Sequence, residues 1–147
     1  MNMETSGQHI HLGDILYLQL DEDDGLTLTG AYHTRRKYIV VIGFTPEGTA
    51  IGSLLINSHI AIFKRSRELM DCQYPLLARH YPDILQYDSW LDCSDIFELP
   101  QNRLAEKNCI VKGQLITEDL ERVTEFLIET DVFDNATKRR YGILPYD

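Results

Sequence analysis

No long hydrophobic run interrupts this sequence. The longest, "YIVVIGF" at Tyr38–Phe44, falls far short of the ~20 apolar residues that carry a helix across a bilayer. The opening stretch, "MNMETSGQHIHLGD", lacks both a cationic flank and an apolar segment, so no secretory signal is expected. Cysteine is scarce: Cys72, Cys93 and Cys109 form an odd set without paired ligand spacing. Reduced thiols in a cytoplasmic protein are the simplest reading of that pattern. Excess positive charge is also missing. With 14 Lys and Arg against 23 Asp and Glu the formal net charge is -9, which argues against indiscriminate nucleic-acid binding, because counterion release needs clustered cations. No internal repeat or low-complexity segment occurs. The length of 147 residues favours one domain with a buried core.

What charge there is, is segregated. Acid is concentrated in "DEDD" at Asp21–Asp24 and again from Glu118 to Asp131, where Arg122 is the single cation. Cations gather at Arg35–Lys37, at Lys64, Arg65 and Arg67, and at Lys138–Arg140. Such a pattern suits local recognition better than uniform solvation. The first cluster stands directly before the apolar run, so a loop delivers three positive charges to the mouth of a strand. A solvated strand end that discourages edge pairing and a phosphate-binding site both account for it.

Residues 1–11 read as a tail. From Gly13, "GDILYLQL" alternates Leu16, Leu18 and Leu20 with Ile15, Tyr17 and Gln19, the period of a strand covered on much of both faces. A polar loop follows, then the strand "RKYIVVIGF", the turn "TPEGT" and the strand segment "AIGSLLINSHIAIF". Residues 64–87, with two prolines and a helical piece in "KRSRELMD", read as an insertion. "SWLDCSDIFEL" returns to strand, and "RLAEKNCIVKGQL" reads as turn-rich. "TEDLERVTEFLIE" predicts an amphipathic helix: Thr117 is placed as N-cap, Glu118 and Asp119 favour the positive end of the dipole, and Leu120, Val123, Phe126 and Leu127 make the apolar stripe. Residues 131–147 show no clear period and read as an extension. The expected fold class is mainly β with α: a small antiparallel barrel spanning 13–130, with the insertion and a C-terminal amphipathic helix.

Three stretches in this order, "GDILYLQLD", "RRKYIVVIG" after a glycine-containing loop, and "DIFELPQNRL", "KGQL" and "TEDLERVTEFL", resemble the MazF/PemK toxin family of SH3-like barrels (Kid/CcdB-type). The resemblance implies a metal-independent endoribonuclease without cofactor, in which a ribose 2′-OH attacks the neighbouring phosphate. It implies single-stranded RNA rather than DNA as substrate, an antitoxin protein as inhibitor, a homodimer, a cytoplasmic location and no membrane. By position, Arg36 matches the family's catalytic Arg, Arg35 is its neighbour, and Ser58 in "LINSH" matches an assisting Ser or Thr. Lys37, His33 and Asn57 are the adjoining candidates for RNA or anion binding. Lys37 stands where the family usually has Pro, "GLTLTG" lacks the family loop's Glu, and Phe97 occupies a position often polar. These departures keep a second reading open, a catalytically degenerate barrel that binds protein or RNA.

Other chemistry-bearing residues have plainer readings. His9 and His11 share a face if extended, but no third metal ligand lies near in sequence, so a tail pair is expected. A loop histidine without a role remains an alternative for His33, as does a turn serine for Ser58. Asp88, Asp92 and Asp95 sit in no glycosidase or nuclease pattern and read as strand-edge and turn acids. Cys93 reads as a buried thiol, and the "NAT" sequon at Asn135 has no meaning in a cytoplasmic protein.

Overall fold

The computed structural model describes residues 9–25, 34–60 and 64–146. Among these residues seven strands form one sheet: β1 (Asp14–Asp21), β2 (Thr34–Phe44), β3 (Ala50–Asn57), β4 (Gln73–Leu76), β5 (Ser89–Asp92), β6 (Phe97–Pro100) and β7 (Ile110–Gln114). Three α-helices accompany them: α1 (Arg67–Met70), α2 (Thr117–Glu129) and α3 (Asn135–Arg140). Every strand pairing is antiparallel, in the order β4-β5-β3-β2-β1-β7. β3 has β2 on one edge, while the other edge is shared by β6 along Ala50–Ser53 and β5 along Ile56–Asn57. The expected mainly β class with helices holds. The sheet stays open, however, with β4 and β7 at its two ends.

Alternation along β1–β3 drives burial on both faces. Leu16, Leu18, Leu20, Ile39, Val41, Ile51 and Leu55 pack on one side with Leu99, Leu104 and Cys109. Ile15, Val40, Ile42, Leu54 and Ile56 pack on the other beneath Val123 and Leu127 of α2 and Tyr81 and Leu85. That second layer explains why the apolar pattern of β2 is nearly continuous rather than strictly alternating.

Several sequence expectations change in detail. The segment 64–87 holds α1 as its helical piece, but it also supplies β4, which pairs with β5 in the register Gln73↔Asp92 to Leu76↔Ser89. The turn-rich stretch ends in a true strand, β7, paired with β1. Ile116, not Thr117, is the N-cap of α2, and its side chain makes no capping bond; Glu118 and Asp119 do fill the first turn. The C-terminal stretch contains α3, capped by the Asp134 side chain accepting from Thr137 N at 2.8 Å. Its next residue, Tyr141, lies against β2 and β3, where a Cβ on Gly43 would meet the Tyr141 carbonyl oxygen at 2.2 Å and one on Gly52 its ring at 2.8 Å. Phe44 N donates to that carbonyl at 3.1 Å, so only glycine at 43 lets the two backbones approach. All three cysteines are free and buried, Cys93 as expected.

Candidate nucleic-acid interface at the mouth of β2

The three cation clusters have different fates. Lys64 lies 3.2 Å from Asp92 Oδ2 and 3.7 Å from Asp95 Oδ2. The buried Lys138 donates to the carbonyls of Ile128 and Thr130 at the C-terminal end of α2, which have no partner within the helix. Arg140 forms a two-pronged pair with Glu98, at 2.6 and 2.8 Å. Even the acidic block at Asp21–Asp24 is partly matched, by the buried Lys107 at 2.7 Å from Asp24. Among the described residues, Arg35, Arg36 and Lys37 make no ion pair with a carboxylate. Their charge remains available to an anion.

These three residues, with Ser58, line one cleft of about 270 Å³. Its walls come from both ends of the chain's order: Tyr17 and Tyr38 from β1 and β2, and Ile84 to Tyr87 from the segment before β5. Antiparallel register sets Arg36 opposite Gln19 and Tyr38 opposite Tyr17, so Arg36 and Tyr38 share a face two residues apart. The Tyr17 and Tyr38 rings lie 4.4 Å apart, inclined at 32°, and the Arg36 guanidinium stands 4.3 Å above the Tyr17 ring. One of its nitrogens, Nη2, donates to the Asn108 carbonyl at 3.3 Å. Asn108 itself adopts a left-handed conformation (φ 53°) and donates to Gln19 Oε1 at 2.8 Å. The fork is therefore held by a ring face and one carbonyl, with donors left over.

Lys37 Nζ donates to Asn57 Oδ1 at 2.7 Å. Burial, and secondarily the nearby Arg35 charge, hold its ammonium pKa below the usual lysine range. Asn57 thus serves to fix Lys37 and is not one of the cleft-lining residues. Ser58 is exposed at the cleft. His33 lies outside the described residues, as does the loop "LTLTG". Phe97 packs in the apolar layer near Gly25.

The remaining candidates do not converge. His9 and His11 have ring centres 6.4 Å apart, and among the described residues no group of three or more His, Cys, Asp or Glu side chains could hold a metal ion. Asp88 accepts from Ala78 N at 2.8 Å. Burial pushes the Asp92 carboxyl up, but bonds from Ser94 and Gln73 and the Lys64 charge outweigh it and leave it below the usual carboxylate range. Those acids hold turns and strands together. A wider depression of about 740 Å³ follows α2 past Glu118, Glu121 and Glu125, and these carboxylates repel a phosphate. Charge, not size, singles out the β2 cleft.

The sequence signalled the cations but not their aromatic setting. Tyr17 and Tyr38 could have been found as aromatics on neighbouring strands, whereas Asn108 and Tyr87 come from distant segments that only the fold brings near.

No helix among the described residues is long and apolar enough to cross a membrane. No family model matches the sequence, and no curated protein does. Among solved structures the chain is similar to the crystal structure of MazE-MazF (Form-III) from Deinococcus radiodurans. The identity is 11%, the TM-score 0.50, and the likeness covers 79% of this chain and 90% of that chain. At that identity the relationship is one of fold.

Proposed function

We propose that this chain is a MazF/PemK-like endoribonuclease that cleaves single-stranded RNA without a metal cofactor. The observation that carries the reading is the gathering of Arg35, Arg36, Lys37 and Ser58 in one cleft of a chain otherwise strongly acidic. The reaction joins a ribose 2′-oxygen to the adjacent phosphorus and breaks the bond from phosphorus to the 5′-oxygen. The 2′-hydroxyl loses its proton, the departing 5′-oxygen gains one, and a cyclic phosphate and a free 5′-hydroxyl result. Negative charge grows on the non-bridging oxygens in between. Arg36 and Arg35 neutralise it, with planar forks that suit two phosphate oxygens and stay charged at any working pH. Ser58 hydrogen-bonds the reacting group, and Lys37 binds a flanking phosphate as a point charge.

The MazE-MazF likeness extends the proposal to partners: a homodimer, held in check by an antitoxin protein. Its test is incubation of the purified protein with a mixed-sequence RNA in EDTA. Cleavage that disappears in the Arg35→Ala/Arg36→Ala double variant supports the reading; an intact substrate sinks it.

A second reading has its own observation. Arg36 is already engaged by the Tyr17 face and the Asn108 carbonyl, which suits a degenerate barrel that binds RNA or a protein without cutting. Salt-sensitive binding of uncut RNA would select it.

A further inference from the structure

The segment between β4 and β5 forms no strand of the sheet, yet several contacts fasten it. The Tyr81 hydroxyl donates to Asp119 Oδ2 at 2.5 Å and accepts from Ile116 N at 3.1 Å, tying the segment to the start of α2. Leu85 is buried in the layer beneath α2. Ile84 sits over Gly113 of β7, where an added Cβ would stand 2.9 Å from its Cδ1. Beyond these anchors the Ser89 hydroxyl donates to the Tyr87 carbonyl at 2.9 Å. The outcome is a held backbone that carries an exposed phenol: Tyr87 is one of the residues lining the cation cleft, and it is 63% exposed. The other two cleft tyrosines are half-buried and occupied with each other and with Arg36.

An exposed ring on a rigid wall, beside three cations, is the arrangement by which single-stranded nucleic acid is gripped: phosphates on the cations, a base on the ring. We infer that Tyr87 is a positioning residue that stacks a nucleobase of single-stranded RNA whose adjoining phosphate lies on Arg35 and Arg36. The inference deepens the ribonuclease reading and rests on it for the identity of the ligand. It gives the segment 64–87 a task, which is to supply the base-binding wall of the cleft.

Binding and cutting are measured separately. Affinity is measured over a salt series with a short, fluorescently labelled 2′-O-methyl RNA, whose blocked nucleophile prevents cleavage, and with inorganic polyphosphate, which has charge but no bases. Tyr87→Ala is expected to weaken RNA binding about tenfold or more, within the range of one lost stacking contact, with the salt slope unchanged. Its affinity for polyphosphate should equal that of the wild type, and Tyr87→Trp should restore RNA binding. The Arg35→Ala/Arg36→Ala variant should weaken both ligands and flatten the slope by roughly 1.4, at about 0.7 per single-strand phosphate contact. Unchanged RNA affinity in Tyr87→Ala, or an equal loss for polyphosphate, overturns the inference. If unmodified RNA is cut normally by that variant at low concentration, stacking fails while the ribonuclease reading stands. If Tyr87-dependent binding occurs without cleavage, stacking stands and the ribonuclease reading fails. Absence of RNA binding by the wild type overturns both.

Discussion

The Arg36 guanidinium rests 4.3 Å above the Tyr17 ring while one nitrogen donates to the Asn108 carbonyl. Stacking orients the fork without a carboxylate and so leaves its charge uncompensated. Arg36→Lys keeps the charge but loses both the planar fork and the stacked geometry. Single-turnover cleavage should fall by about 10²–10³, the scale of removing one transition-state donor. Tyr17→Leu, which loosens the orientation alone, should cost about 0.5–1 kcal/mol, a several-fold loss in rate.

On the proposed function, Lys37 should make RNA affinity sensitive to alkaline pH. Its ammonium is held below the usual lysine range by burial and by Arg35, so it loses its charge earlier than an exposed lysine as pH rises. Affinity for uncleavable RNA should therefore decline with rising pH at values where exposed lysines, near 10.4, are still charged. Lys37→Arg should bind independently of pH across that window. A wild-type affinity that is flat there contradicts this assignment.

Asp119 joins the α2 terminus to the segment that carries the cleft wall, accepting from Tyr74 at 2.6 Å and Tyr81 at 2.5 Å. Removing it in Asp119→Ala leaves two hydroxyls without their acceptor, and chemical denaturation should show a loss of about 2–3 kcal/mol. Burial first, and the bond to Asp119 second, raise both phenols well above their ordinary range. The native state then binds protons that the unfolded chain releases, so this stability is complete below pH ~10 and is lost as pH rises beyond it. In Tyr74→Phe/Tyr81→Phe the alkaline decline should be shallower than in the wild type.

Gly43→Ala and Gly52→Ala should be told apart by a second substitution at Tyr141. Gly43→Ala drives a Cβ into the Tyr141 backbone carbonyl, and Gly52→Ala drives one into the Tyr141 ring. Each should destabilise by about 1–3 kcal/mol in denaturant titrations. Tyr141→Ala removes the ring and not the carbonyl. It should relieve most of the Gly52→Ala effect and little of the Gly43→Ala effect in a double-mutant cycle.

The sequence made the structure legible where one signal dominated. Alternation of Leu16, Leu18 and Leu20 fixed β1, the β-branched run fixed β2, and the stripe through Val123 and Leu127 fixed α2. β4 was hidden because "QYPL" includes a proline, which suits an edge strand paired on one side and weakens the strand signal. β7 was hidden by Gly113, which weakens the strand signal. α3 is too short to show a period, and its inward residue, Lys138, is charged because it caps α2. At the site, charge segregation marked Arg35–Lys37, and the resemblance to the MazF/PemK family marked Ser58. Nothing local marked Asn108 or Tyr87, because their closeness to Arg36 and the cleft is a product of register and of the anchored segment.

The central claim is that the β2 cleft binds an RNA phosphate and promotes attack by the neighbouring 2′-oxygen. It is tested most directly by analysing the ends of the products formed from single-stranded RNA in EDTA. The account predicts cyclic-phosphate and 5′-hydroxyl ends from the wild type, no reaction on the 2′-O-methyl strand, and no products from an Arg35→Ala/Arg36→Ala variant that melts at the wild-type temperature. Products formed equally well by that double variant, or none from the folded wild type, would contradict it.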